Sequence, residues 1–193
     1  MDPLLRFDEL LATARQNPLI TDPTAMTLAT VGADGRPSAR VVLLKGADAR
    51  GFVFYTNYHS RKARDVLAHP EVALVFFWVP LETQVRIEGP AVPVTDREAD
   101  EYFAGRPRGS QLGAWASDQS STLEDRATLE ARLAEATARY EGGAVPRPPH
   151  WSGFRVTPLS IEFWKNRLDR LHERELYSRA SADAPWTMRL LNP

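Results

Sequence analysis

Apolar positions change their period along this chain, and each change marks an element. Over residues 4–16, "LLRFDELLATARQ", they recur at helical spacing, which predicts an amphipathic helix ended by Asn17-Pro18. From Ala25 the pattern turns strand-like: "AMTLATVG" and "ARVVLLKG" flank the Asp-Gly turn of "ADGRPS" and predict a hairpin. "FVFYTN" follows the turn "ADARG" as a third strand, so the chain opens as a meander. "SRKARDVLAHP" predicts a short helix with Ser60 as N-cap and Pro70 as terminator. Two further strands, "EVALVFFWVP" and "TQVRIEGPAVPV", come next.

The later chain predicts helices around "TDREADEYFAGR" and "TLEDRATLEARLAEATARYEGG", with Thr95 and Thr122 as N-caps and Gly142-Gly143 as a stop. After the proline-rich loop "AVPRPPHW", strands resume in "GFRVTPLSIEFWK", "DRLHERELYSR" and "PWTMRLLNP". Seven or eight strands with helices inserted predict an antiparallel barrel or sheet, a mainly β (α+β) fold with peripheral helices. Strands and helices do not alternate, and no glycine-rich dinucleotide or Walker motif is present, which disfavours a parallel nucleotide-binding sheet.

Composition narrows the function. At 193 residues, 43% hydrophobic and 25% charged, the chain has the makeup of one globular domain. A net charge of −1 argues against nucleic-acid or membrane binding through bulk basicity, so any anion site must be local. There is no cysteine, and the first residues show neither a signal peptide nor a span, so the expected location is cytoplasmic. Of 24 basic residues only Lys45, Lys62 and Lys165 are lysines, so each invites a specific question.

Four stretches carry candidate chemistry. Arg40 and Lys45 point to opposite faces of a regular strand, either as solvated charges or as contacts to different ligand groups. Arg61 and Lys62 fall in a first helical turn, where the dipole disfavours a cation; a bound phosphate would reverse that, and an exposed basic pair is the alternative. Tyr102 and Arg106 share a helix face, with Arg108 and Ser110 beyond Pro107 and Gln119-Ser120 after them. This is either an anion site with neutral donors beside it or a surface helix with a polar loop. Trp164 offers an aromatic plane or core packing. In "DRLHERELY", Arg170, His172 and Arg174 alternate; on a strand they share one face, keep the imidazole neutral and suit an anionic, electron-rich ligand. No carboxylate pair or histidine cluster suggests hydrolysis or a metal.

Taken in order, "RVVLLK", "FYTN..SRKA", "FFW..LETQV.I.G", "YF..RPR.SQLGAW.S.QSS" and "GFRV.P..IEFW…RLHER..Y.R" resemble the pyridoxine/pyridoxamine 5′-phosphate oxidase family, from about Ala25 to Pro193. The resemblance implies an FMN-binding split β-barrel formed by a single domain over 1–193. An N-terminal helix would lie within 1–20, inserted helices within 95–141, and strands completing the site within 151–193. It implies a homodimer with FMN at the interface, held by Arg40, Val41, Lys45, Tyr55, Thr56, Arg61, Lys62, Gln84, Gln119, Ser120, Trp164 and Arg174. Lys45, Tyr102, Arg106 and Ser110 would hold the substrate phosphate, with Arg170 and His172 as catalytic groups over its ring.

The implied reaction is oxidation of pyridoxine or pyridoxamine 5′-phosphate to pyridoxal 5′-phosphate. Hydride passes from C4′ to flavin N5, and dioxygen becomes hydrogen peroxide (with ammonia released from the amine). The alternatives are a phenazine-pathway flavin oxidase and a non-catalytic FMN or pyridoxal-phosphate binder. Where the family usually has glycines after the tryptophan, this chain has "KNRLD", with Asp169 before Arg170, and Glu173 replaces the usual aspartate. Glycine permits backbone angles that Asn166 and Arg167 reach less easily. A short N-terminal extension implies a reduced lid.

Overall fold

The structure, a computed structural model, describes residues 2–193. Helix α1 (Pro3–Gln16) starts where Asp2 accepts the Leu4 amide and Pro3 occupies the first turn. β1 (Ala25–Val31) and β2 (Pro37–Leu43) pair antiparallel from Ala25↔Leu43 to Val31↔Pro37, and Gly35 at the tip has the positive φ that the Asp-Gly turn requires. β3 (Gly46–Asp48) and β4 (Gly51–Asn57) form a tighter hairpin. Then come α2 (Arg61–Ala68), β5 (Glu71–Trp78) and the long β6 (Thr83–Pro93). α3 (Asp96–Ala104), α4 (Arg108–Ala116) and α5 (Arg126–Arg139) precede β7 (Trp151–Val156), β8 (Ser160–Lys165), β9 (Glu173–Ser178) and β10 (Thr187–Leu190).

All strand pairs are antiparallel. One limb runs β10-β9-β8-β6-β5-β1-β2, and β3, β4 and β7 form a second limb joined through β7 to β6. β6 serves both: it pairs with β8 through Thr83–Glu88 and with β7 through Ala91–Pro93. Gly89 sits at the changeover with φ +158°, and a Cβ there would stand 2.1 Å from the Thr157 carbonyl oxygen. β2 runs almost directly into β3, so the sheet curls into a half-barrel.

Inside the curl lie Met26, Leu28, Phe52, Phe54, Leu74, Phe76, Ile87, Phe154 and Ile161, all essentially inaccessible. α1 closes one end, its Phe7 edge-on to Phe52 at 4.9 Å and Phe76 at 5.1 Å. Burial of each such ring contributes about 1.5–3 kcal/mol. A smaller core of Phe103, Leu112, Ala136, Val145 and Trp151 fastens the inserted helices.

The outer face of the long limb stays largely uncovered. Val41 is 66% exposed and Phe77 56%. The cross-strand pairs Val41↔Thr27, Thr27↔Val75, Val75↔Arg86 and Phe77↔Gln84 place these residues on one continuous surface.

The expected meander breaks after β2, since β4 pairs with β3 and β7, and ten strands form rather than seven or eight; four further expectations change. α4 forms where the sequence suggests a polar loop; Pro107 sits at its N-cap, and burial of Gln111, Leu112 and Ala116 outweighs its two glycines. α5 begins after Asp125, whose carboxylate accepts the Thr128 amide at 2.7 Å, rather than at Thr122. The run 153–165 is two strands, split at Thr157–Leu159 where it passes β6. "DRLHERELY" is a strand only from Glu173; Asp169 and Arg170 take φ of +56° and +60° in a tight turn. Arg170 and His172 therefore do not share a strand face with Arg174. The backbone strain falls at 169–170, whereas Arg167 is extended.

Candidate functional site

A cavity of about 470 Å³ opens between the end of β2, β4 and the inserted helices. Lys45 lies beyond β2, Tyr55, Thr56 and Asn57 come from β4, and Lys62 from α2. Tyr102, Arg106, Ser110 and Gln119 reach in from the α3–α4 region, and Trp151 from the start of β7. Three cations line this space and no carboxylate does.

The aromatic wall is flat. The Tyr55 ring lies 3.9 Å from Tyr102, 3° from parallel, and 5.4 Å from Trp151, 1° from parallel. Gly153, opposite Tyr55 across the β4–β7 pair, makes room, since a Cβ there would stand 2.7 Å from the Tyr55 ring. Arg106 follows α3, which Thr95 and Glu98 start with a reciprocal capping box. Its guanidinium sits 4.6 Å over the Trp151 ring. Burial lowers the Arg106 pKa. Among the described residues its NH1 is the one buried side-chain polar atom without a hydrogen-bond partner. A buried donor left unpaired is costly, and the residue that carries it lines the cavity.

At the cavity's edge lies the N-terminus of α2. The Ser60 side chain makes no capping bond; the Arg61 amide donates instead to Ser120 Oγ at 3.2 Å, and Ser120 holds an unusual φ of +74°. Lys62 Nζ donates to Thr56 Oγ1 at 3.2 Å and Gln119 Oε1 at 2.8 Å. Burial, and after it the charge of Arg40, lowers the Lys62 pKa to about 8. Arg40 turns to the core side of β2 and bonds Thr30 and Ser38, with Asp65 3.7 Å away. Arg40, Arg61 and Lys62 are thus close to the first turn of α2, where the helix dipole favours an anion. Arg108, grouped with Ser110 on sequence, is instead bound to the carbonyls of Tyr140 and Gly143 beyond α5.

The other expected residues lie apart, on the outer face. Gln84↔Trp164 and Trp164↔Arg174 form one row across β6, β8 and β9. The His172 ring is 4.6 Å from Trp164, and its Nδ1 accepts the Arg167 amide at 3.3 Å, leaving Nε2 as a donor when the ring is neutral. Arg170 is exposed beside them. None of Gln84, Trp164, Arg170, His172 or Arg174 lines the cavity.

The family model "Pyridoxamine 5′-phosphate oxidase" matches residues 12–140. The chain belongs to the pyridoxamine 5′-phosphate oxidase family. A second model, the "Pyridoxine 5′-phosphate oxidase C-terminal dimerisation region", matches residues 151–193. Pyridoxine/pyridoxamine 5′-phosphate oxidase of Myxococcus xanthus (strain DK1622) is 59% identical over 192 residues, covering 100% of this chain and 92% of the relative. The enzyme of the same name from Burkholderia orbicola (strain MC0-3) is 55% identical over 193 residues, covering 100% and 89%. Among solved structures, PhzG from Burkholderia lata 383 in complex with tetrahydrophenazine-1-carboxylic acid aligns with a TM-score of 0.92 at 36% identity, covering 100% and 93%. A pyridoxamine 5′-phosphate oxidase-related, FMN-binding protein from Nostoc punctiforme shares the fold at TM-score 0.75 and 17% identity, covering 96% of each chain.

As a member of the oxidase family, the chain carries an FMN-binding split barrel, and its residues fit a phosphorylated flavin. Cations stand at the first turn of α2, and no carboxylate lines the cavity beside it. The sequence reading missed Trp151, hidden in a proline-rich stretch, and Asn57, whose Nδ2 donates to the Ser117 carbonyl at 3.1 Å and pins the loop bearing Gln119. An aromatic residue directly opposite Asn57 in the β4–β7 register was the signal, readable only once those strands are paired. Among the described residues no helix is long and apolar enough to cross a membrane, and no three metal-ligating side chains cluster.

Proposed function

We propose that this chain is an FMN-dependent oxidase that converts pyridoxine or pyridoxamine 5′-phosphate to pyridoxal 5′-phosphate, with dioxygen as acceptor and hydrogen peroxide as product. The observation that carries this is the cavity itself: Lys45, Lys62 and Arg106, with no carboxylate, beside a flat aromatic wall. Bound flavin supplies the hydride acceptor and its reoxidation by oxygen. Arg40, Arg61 and Lys62 hold the flavin phosphate at α2, with Thr56, Gln119 and Ser120 as neutral partners. Lys45, Tyr102, Arg106 and Ser110 hold the substrate phosphate.

Arg170 and His172 complete the site from a second copy of the chain. The uncovered face bearing Val41 and Phe77 is continuous with Gln84, Trp164 and Arg174, and the matched dimerisation region contains four of the five displaced residues. His172 donates through Nε2 to the substrate ring, and Arg170 adds positive charge that favours the electron-rich reduced state.

Similarity to PhzG supports a second reading, a reduced phenazine carboxylate as substrate, with Arg106 meeting the carboxylate. The test loads the purified protein with FMN and follows peroxide with pyridoxine 5′-phosphate, pyridoxamine 5′-phosphate and a tetrahydrophenazine carboxylate. Turnover of the phosphorylated vitamers is expected. Turnover of the phenazine alone would select the second reading, and vitamer binding without peroxide would make the protein a carrier.

Flavin binding should also depend on pH. Lys62 is charged below about pH 8 and increasingly neutral above it, so a phosphate dianion gains less as pH rises through that value. FMN affinity, followed by flavin fluorescence from about pH 7 to about pH 9.5, is expected to fall across this window. The slope should vanish in Lys62→Met. A flat profile in the unaltered protein would remove Lys62 from the phosphate site.

A further inference from the structure

Among the described residues two carboxylates are buried, Asp65 and Glu162, although the chain contains 25 acidic residues. Neither touches the cavity. Each lies against one of the arginines assigned above to flavin, one in each cluster. Glu162 is the less expected, because it faces outward from β8, opposite to the core side of Ile161 and Phe163, yet is only 6% exposed. Its register partner on β6 is Arg86, and Arg174 stands diagonally across on β9. Glu162 Oε1 accepts Arg174 Nε at 2.7 Å, and Oε2 accepts Arg86 NH1 at 3.3 Å. Arg174 NH1 donates to the Asn192 carbonyl at 3.0 Å, which leaves NH2 for a ligand. Its residue shares a cross-strand row with Trp164 and Gln84.

Asp65 does the same work by a relay. Its Oδ2 accepts Thr30 Oγ1 at 2.7 Å and Ser38 Oγ at 3.2 Å, and both hydroxyls in turn accept from Arg40. Asp65 stands one turn along α2 from Arg61, so it compensates Arg40 without entering the anion site. Burying a carboxylate is tolerated only with full pairing, and on an outward sheet face a neutral side chain would be cheaper. The expense is explained if the arginine's direction, rather than the fold, is what the carboxylate secures.

We infer that Asp65 and Glu162 are positioning residues of the flavin site, each fixing one of the arginines assigned to the flavin, Arg40 and Arg174. This rests on the flavin reading proposed above. Glu162→Gln and Asp65→Asn keep shape and remove charge. Each is expected to weaken FMN binding about tenfold or more, the loss that one misaimed charge-assisted hydrogen bond produces. Glu162→Gln should also raise the flavin reduction potential, because Arg174 loses its compensating negative charge.

Arg86→Leu is the control for stability: it deletes the other ion pair of Glu162, so it should lower the melting temperature while FMN affinity stays within about twofold. If Glu162→Gln does not fold, Glu162→Asp keeps the charge but withdraws it, and the same tenfold criterion applies. Unchanged affinity and potential in the carboxylate variants would overturn the inference, as would an equal affinity loss in Arg86→Leu. Failure of the unaltered protein to bind FMN would instead sink the flavin reading.

Discussion

Replacing Arg106 with leucine is expected to lower kcat/KM for the phosphorylated vitamers by about 100- to 1,000-fold, mostly through KM, while FMN affinity stays within about twofold. The guanidinium lies over Trp151 in a residue that lines the cavity, and its NH1 is buried without a partner, so the ligand-free protein holds an unpaired donor at a cost. Two charge-assisted bonds to phosphate account for a loss of this size. The same substitution removes an unsatisfied buried group, so the melting temperature of the ligand-free protein should not fall. Steady-state kinetics with phosphorylated and unphosphorylated pyridoxine separates the roles. The preference for phosphate should collapse in Arg106→Leu, and its survival would show that Arg106 only packs against the tryptophan.

The largest effect on stability is expected at Gly89. This residue sits where β6 leaves β8 and takes up β7, and the chain between β7 and β8 crosses it closely: the Thr157 amide donates to the Pro90 carbonyl and the Leu159 amide to the Glu88 carbonyl, each at 2.9 Å. A methyl group would meet the Thr157 carbonyl oxygen at 2.1 Å, on a backbone angle that residues with a side chain rarely adopt. Gly89→Ala should therefore cost about 3 kcal/mol or more. For a chain of this size that is a melting temperature lower by about 10 °C. A calorimetric shift under about 2 °C would mean that the crossing has room to open.

Much of this architecture is legible in local chemistry. Asp34-Gly35 announces the first hairpin, and Thr95 with Glu98 announces α3, because both signals lie within a few residues of the backbone groups they satisfy. α4 escapes for the opposite reason. Its glycines and preceding proline read as a loop, and only the burial of Leu112 and Gln111 under the insertion makes it a helix. The alternation of Arg170, His172 and Arg174 imitates a strand, but the Arg167–Glu173 ion pair at 2.8 Å spans a tight turn instead.

For the site, residue type was informative and location was not. Lys62, Arg106 and Gln119 stand out by chemistry, and the structure gathers them in one hollow. That Trp164, His172 and Arg174 would lie on a different surface follows from strand order, which no stretch of the sequence encodes by itself.

The separation of these two surfaces has a genetic consequence. In the proposed dimer each reaction centre draws Arg106 from one polypeptide and Arg170 from the other. A subunit damaged only at Arg106 and another damaged only at Arg170 would pair to give one centre with both lesions and one with neither. Two alleles that are each inactive alone would then restore partial activity when expressed in the same cell.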